Sequence, residues 1–532
     1  MATSFAIASS AFNSTNINLS KTVLSVPLLD PAVLTIHKYI ALFVLCGFYI
    51  ITFLPRSPAS VSKTFSWLHA WPGAASLGAA ATQADKDSRA AGQELPLPHV
   101  SSWVPILGHV MALRQRGGRY IHELIQQTPA ELFTINVLCK RILVAGPSVD
   151  RALGRHVQET SLAQVVSLMG QRSLGLGEAG VRAIAEHDPR PVHRSLFSTA
   201  DGVAGLSEAA ADYVRSKVQR QPQRQEVKLG RFVFDLVVGA AAHALWGKEN
   251  PWTSDAEFME QFIIVSDKFE TLGQPMAWLT AAKAYRAREF LVSRLKRFHA
   301  THQNTRKHSV AHRINAVAMA DAQWESNDDY YRVELLEALG LLATASTLSV
   351  WLVREIIARP ALLAAVEREV RAATEDNIRA SCPTLVAAWY ETLRLHMTLV
   401  PRVASQAFTL DLSTRSVRVD KNDVILMPML AFNLDEATWG ADARDFNPGR
   451  FLDANGAVVA AKTRRVRGFG VAGNLCPGRA FGFEVAIGSV ATVLREFDIE
   501  KKAYAQPRAM AGTNVGFERV EDEVCGELRR TT

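Results

Sequence analysis

The chain has 532 residues, 48% of them hydrophobic, which is enough to bury a large core and too many for a disordered chain. Its net charge of +7 is thinly spread with no long Lys/Arg block, which argues against a nucleic-acid binder. Five cysteines, Cys46, Cys139, Cys382, Cys476 and Cys525, stand far apart without a CxxC pair, which argues against a disulfide framework or a cysteine zinc site and fits a reducing compartment.

Residues 1–32 read as a tail, expected to be lumenal, with two sequons, Asn13-Ser14-Thr15 and Asn18-Leu19-Ser20, open to glycosylation on that side of a membrane. Residues 33–54 read as a transmembrane anchor, because 39–54 carry no charge and Lys38 can snorkel. A secretory signal is the competing reading, but the apolar core begins late and Pro55-Arg56 follows it rather than a small-residue cleavage site. Lys21 and Lys38 before the anchor nearly balance Arg56 and Lys63 after it, so charge alone does not orient it. Residues 55–94 mix Ser, Ala, Gly and charges without periodicity and read as a linker, and the folded body spans 95–532. In that body, strands are predicted at 132–137 and 141–145, joined at Cys139-Lys140. Helical periodicity follows over 231–246, 256–269 and 334–358, with further strands at 408–412 and 417–430. The expected fold is mainly α with minor β sheets, a single large helical domain behind its transmembrane helix.

Three constellations carry chemistry. Cys476 lies between a glycine-rich loop (Gly468, Gly470, Gly473) and an apolar helix, with Pro477 at the expected first helical position. A sulfur there faces unpaired N–H groups and the positive end of a helix dipole, which favour its ionised form, whereas a cysteine without that context is usually a small buried hydrophobe. The run 335–351 is apolar nearly all round, with small and hydroxyl-bearing residues from Ala343 to Thr347 at its centre, and small residues of this kind also serve plain helix packing. Glu391 and Arg394 lie three residues apart on one helical face, close enough to pair.

Phe469 seven residues before Cys476, Pro477-Gly478 directly after it, and in order before them the segments at 343–347, 390–394 and 446–451, resemble the motifs of the cytochrome P-450 family over residues 95–500. The resemblance implies the P-450 fold and a haem whose iron takes Cys476 as its axial thiolate, with Phe469 and Gly478 in the cofactor loop. It implies that Glu391, Arg394 and Arg450 form a buried structural network, and that Arg402 and Arg194, with His193 as a substitute, hold the haem propionates. Thr347 would steer protons to dioxygen, with Ser346 where the family carries an acid. The chain departs from the family pattern at Ala472, Asn474, Gly482 and Arg190, where Gly, Arg or His, Ala and Trp are usual. The implied activity is a monooxygenase inserting one oxygen atom of dioxygen into an apolar small molecule, as a hydroxylation in fungal secondary metabolism. Electrons from NADPH would come through a flavoprotein reductase docking on Lys462, Arg464, Arg465, Arg467 and Arg479, with the catalytic body in the cytosol and the anchor in endoplasmic-reticulum lipid. Two alternatives stay open: an isomerase or dehydratase that needs no external electrons, and a haem-binding scaffold without catalysis. The substrate pocket would be lined from segments between residues 162 and 274.

Overall fold

The structure is a computed structural model and describes residues 96–102, 108–138, 140–160, 162–186, 190–274, 276–302, 312, 327–374, 377–471, 474–501, 509, 516–520 and 525–531. The tail, anchor and linker expected over 1–94, with both sequons, lie outside the described residues, as do Cys139, Ala472 and Gly473.

The elements that position the site run in chain order as β1 (His99–Val100), α1 (Val110–Gln127), β2 (Leu132–Val137), β3 (Lys140–Ala145), α2 (Arg190–Phe197), α3 (Ala200–Gln219), β4 (Arg224–Lys228), α4 (Leu229–Trp246), α5 (Ala256–Asp267) and α6 (Ala282–Thr301). The long α7 (Asp328–Ile357) follows, then α8 (Pro360–Ala372), α9 (Pro383–His396), β5 (Met397–Val403), β6 (Phe408–Asp411), β7 (Ser416–Val419), β8 (Val424–Pro428), α10 (Arg479–Glu496), β9 (Phe497–Lys501), β10 (Gly516–Phe517) and β11 (Cys525–Arg530). Helices dominate, and the strands form a six-stranded sheet in the order β1-β2-β3-β8-β5-β10, a three-stranded sheet β4-β11-β9 and the hairpin β6-β7.

Asn327 starts α7 by accepting the N–H of Asp329 at 3.0 Å, and Asp328 and Asp329 in the first turn complement the helix dipole. The helix then runs through the main core, packed on α4, α9 and α10, and widens into a π turn at Leu339–Ala343. Helices α4 and α7 are long and apolar enough to cross a membrane, but 61% and 67% of their apolar windows are buried in protein, so both serve as core helices. The strand predicted over 417–430 is interrupted: Asp423 N–H bonds to Asp420 O at 3.0 Å, Asn422 adopts φ 71°, and the last residues turn into the short helix Met429–Asn433. Asparagine tolerates the left-handed region that an apolar β-former avoids, so the polar run 420–423 makes a turn where the flanking Val and Ile suggested continuity.

Where α9 ends, His396 is buried and stacked on Trp351 of α7, with ring centroids 3.8 Å apart. Its two ring nitrogens each lie 3.4 Å from a carboxylate oxygen, of Glu518 and of Glu355. Glu518 in turn accepts a bidentate pair from Arg119 at 2.6 and 2.8 Å. Burial alone would lower the His396 pKa, but the hydrogen bonds and charges of Glu355 and Glu518 outweigh it and raise the pKa, while both carboxyls are held below their usual range. A histidine raised in this way contributes stability that is complete below its unfolded pKa of about 6.5 and fades as pH rises through the folded value. Thermal melts taken from pH 6 upward should therefore decline more steeply in the native protein than in His396→Gln, and parallel curves would contradict the charged cluster.

Candidate functional site

The Cys476 loop begins where Gly468 passes so close to α9 that a Cβ there would sit 2.9 Å from Leu393 Cδ2. Gly470 adopts φ 98°, and a side chain there would meet Asn474 O at 2.5 Å, so the chain must turn on glycine. Cys476 N–H closes the loop on Phe469 O at 2.9 Å, and Asn474 N–H bonds to Val471 O at 3.0 Å. The helix starts at Arg479 with Gly478 as its cap, so Pro477 lies in the turn before the helix rather than at its first position. Arg479 donates to Cys476 O at 3.0 Å, which fixes the turn from the helix side.

Cys476 is exposed, yet protein surrounds its sulfur closely enough for burial to push the thiol up, against the opposing pull of the Gly478 N–H and the Arg479 charge. The expectation of a sulfur ionised by its loop is thus reversed in the protein alone, because desolvation exceeds the effect of the helix terminus. A cation bound to the sulfur would displace the proton, since metal ligands bind deprotonated.

Behind the loop, Glu391 and Arg394 are fully buried and pair through two hydrogen bonds of 2.7 Å each. Arg394 also donates to Asn433 O and Ala443 O at 2.6 Å, and lies over the Trp439 ring at 5.3 Å. Glu391 Oε1 accepts from Arg450 Nε and from Asn447 N–H, both at 2.9 Å. Arg450 in turn holds Trp439 O, Asp442 O and the Asp442 carboxylate at 2.8–3.2 Å. All three residues named from the sequence thus meet around one carboxylate. Asn433, which the sequence reading passed over, completes the link: its side chain accepts from Arg467 N–H at 2.9 Å and donates to Arg467 O at 3.3 Å, one residue before the loop's first glycine. The available signal was a lone Asn inside the apolar run 429–434.

Among the cations proposed for anion binding, Arg402 stands on β5, 3% exposed, with Nη2 lacking any hydrogen-bond partner among the described residues. Burial lowers its pKa and the Asp150 charge only partly offsets this. Arg194 is exposed on α2, and His193 is half-buried with its ring 5.9 Å from Phe197, which packs on Phe481 at the start of α10. Of the basic cluster, Arg464, Arg465 and Arg479 are exposed, Lys462 is half-buried, and Arg467 lies 3.5 Å from Asp150.

On α7, Ser346 and Thr347 are buried, and their hydroxyls donate one turn back to Leu342 O at 2.7 Å and Ala343 O at 2.8 Å. The exposed hydroxyl of this stretch belongs to Thr344, which has no protein hydrogen-bond partner among the described residues. Glu337, Gly340, Leu341 and Thr344, spaced at three, one and three residues, form the open face of the helix. That face was not legible in a run apolar on nearly every side.

A profile of the cytochrome P-450 family matches residues 258–525, just over half of the chain. The cytochrome P-450 monooxygenase nodJ of Hypoxylon pulicicidum is 22% identical over 438 residues, covering 75% of this chain and 82% of that protein. A cytochrome P-450 monooxygenase of Gibberella zeae is 30% identical over 163 residues, 28% of this chain and 31% of that protein. The indoleacetaldoxime dehydratase of Arabidopsis thaliana is 27% identical over 167 residues, 30% of this chain and 33% of that protein. The chain therefore spans most of the Hypoxylon protein and about a third of the other two.

Proposed function

Because the chain belongs to the cytochrome P-450 family, we propose that it is a haem-thiolate monooxygenase acting on an apolar small molecule. The observation that carries the proposal is the attachment of the Cys476 loop to the buried Glu391–Arg394 pair through Asn433. The residues present fit the cofactor: Cys476 offers a thiol on an exposed residue, and Arg402 offers a buried guanidinium nitrogen without a partner among the described residues, suited to a propionate carboxylate. Arg194, exposed on α2, and His193 are the second propionate candidates, and they matter more because Asn474 carries no charge. Cys476 would hold the haem through its thiolate, and the bound group would supply the oxygen activation.

The chain's own residues set the conditions around that group. Glu391, Arg394 and Arg450 keep the loop from shifting, and Phe469 O holds the Cys476 backbone at one depth. The open face of α7 borders the substrate and its central hydroxyls handle protons, with Thr344 the accessible member and Ser346 and Thr347 bonded into the helix behind it. Arg464 and Arg465 offer a reductase an exposed cationic surface beside the loop. The uncharged stretch 39–54 supports an endoplasmic-reticulum anchor, and Met276, Trp278 and Leu279, large apolar side chains about half exposed or more, support contact with lipid. The Hypoxylon and Gibberella relatives support a fungal setting, and a hydroxylation in secondary metabolism is the reading that goes with it.

Reconstitution with reductase and NADPH tests the assignment. NADPH consumption should require both the haem-loaded protein and the reductase. Thr344→Val should raise the hydrogen peroxide released per NADPH roughly tenfold, the low end of what a positioned proton donor contributes. Thr347→Val, whose hydroxyl is already engaged, should change the ratio less than about threefold. The dehydratase relative and the lack of an acid at Ser346 favour a second reading, conversion without external electrons. Turnover that proceeds without NADPH and reductase would replace the first reading with the second.

A further inference from the structure

The open face of α7 carries one ionisable group, Glu337, for whose buried Oε2 the described residues supply no hydrogen-bond partner. A buried carboxyl left unpaired is costly, so the position calls for a reason beyond packing. The acid one turn earlier shows the contrast: Glu334 accepts from Trp246 Nε1 at 2.7 Å and lies 2.6 Å from His299 Nε2. Among the described residues no cation contributes to the electrostatics of Glu337, and Arg332, further back on α7, is engaged with Leu174 O and Glu289. Burial and the Glu334 charge push the Glu337 pKa to about 8, so at neutral pH the side chain mostly keeps its proton and acts as a donor.

Geometry gives that donor a direction. Glu337 shares the open face with Gly340, beside which no protein atom would lie within 4 Å of an added Cβ, and with Thr344. Seven residues of helix place Glu337 roughly 10 Å along the axis from Thr344. We propose that Glu337 is the polar anchor of the substrate chamber, donating a hydrogen bond to a carbonyl or hydroxyl oxygen of an otherwise apolar substrate whose reacting carbon lies beside Thr344. This rests on the monooxygenase reading and narrows its substrate class to apolar molecules that already carry an oxygen. The reaction that supplies such a substrate is then itself one that installs or leaves an oxygen on the skeleton.

Equilibrium dialysis of the haem-loaded full chain against two matched trios tests it: androstanone, androstane and aminoandrostane, and decalone, decalin and aminodecalin. The native protein should hold at least one ketone about tenfold more tightly than its hydrocarbon, the worth of a single buried hydrogen bond. Glu337→Leu should reduce that preference to within about twofold. Glu337→Gln, whose amide still donates, should keep most of it. Equal binding of ketone and hydrocarbon by the native protein, a preference that survives in Glu337→Leu, or tighter binding of the amine than of the ketone would each overturn the anchor. The carbon monoxide spectrum of the same samples separates the two levels. A native protein with the thiolate band and no ketone preference loses the anchor alone, and one without the band loses both readings.

Discussion

Arg394→Leu is expected to yield little folded protein. The substitution removes both 2.7 Å bonds to Glu391 and the donors to Asn433 O and Ala443 O in a region with no exposed side-chain surface. The Glu391 carboxylate keeps only Asn447 N–H and Arg450, and the latter approaches from the rim rather than the interior. Breaking a buried pair in this way costs about 3–5 kcal/mol, against a total stability of about 5–15 kcal/mol for an ordinary domain. Arg394→Lys should fail nearly as badly, since a lysine ammonium cannot present a fork to Glu391 while also reaching two carbonyls. Arg418→Leu serves as the control, because its partner Asp420 and its own side chain are both largely exposed and such pairs contribute about 0–1 kcal/mol. Denaturant melts of the three variants should separate them clearly, and an Arg394→Leu midpoint close to that of Arg418→Leu would contradict the network's structural role.

Cys476→Ala is expected to do the opposite: to keep the fold and lose the cofactor. The residue is exposed, the polar interactions of its sulfur among the described residues are with the Gly478 N–H and the Arg479 charge, and the loop is closed by the Cys476 backbone, which alanine retains. Exposed substitutions of this size usually change stability by less than about 0.5 kcal/mol. Without haem, the melting temperatures of native and Cys476→Ala proteins should nearly coincide. After incubation with haem and gel filtration, the native protein should carry close to one haem per chain and the variant a small fraction of that. A variant that unfolds, or one that retains full haem through another residue, would show that Cys476 supports the chain rather than the cofactor.

The contrast between these two predictions follows what could be read from the chain. Glu391 and Arg394 were legible because a three-residue spacing on a helix brings side chains together by local geometry. Their meeting with Arg450, 59 positions further along, depends on how the 433–450 segment wraps α9, which spacing does not encode and only the resemblance suggested. Asn433 escaped notice because its value lies in bonds to the backbone of Arg467, and backbone partners leave no mark in sequence. Helices α4, α7 and α10 were visible as apolar runs, but a run apolar on all sides does not say which face is open. Ser346 and Thr347 therefore drew attention that Thr344 and Glu337 share once the face is seen. The ionisation of Cys476 was misjudged for a related reason: a helix terminus can be read from Pro and Gly, whereas the depth at which protein surrounds a sulfur comes from tertiary packing.

The central claim is that Cys476 is the thiolate ligand of a haem. The most direct measurement is the absorption difference spectrum of the purified, haem-loaded protein after dithionite reduction and addition of carbon monoxide, native beside Cys476→Ala. The native protein should show the strongly red-shifted Soret band of thiolate-ligated haem, and the variant should lack it. A native protein that binds haem but gives the shorter-wavelength band of nitrogen-ligated haem, or a variant that keeps the red-shifted band, would contradict the assignment.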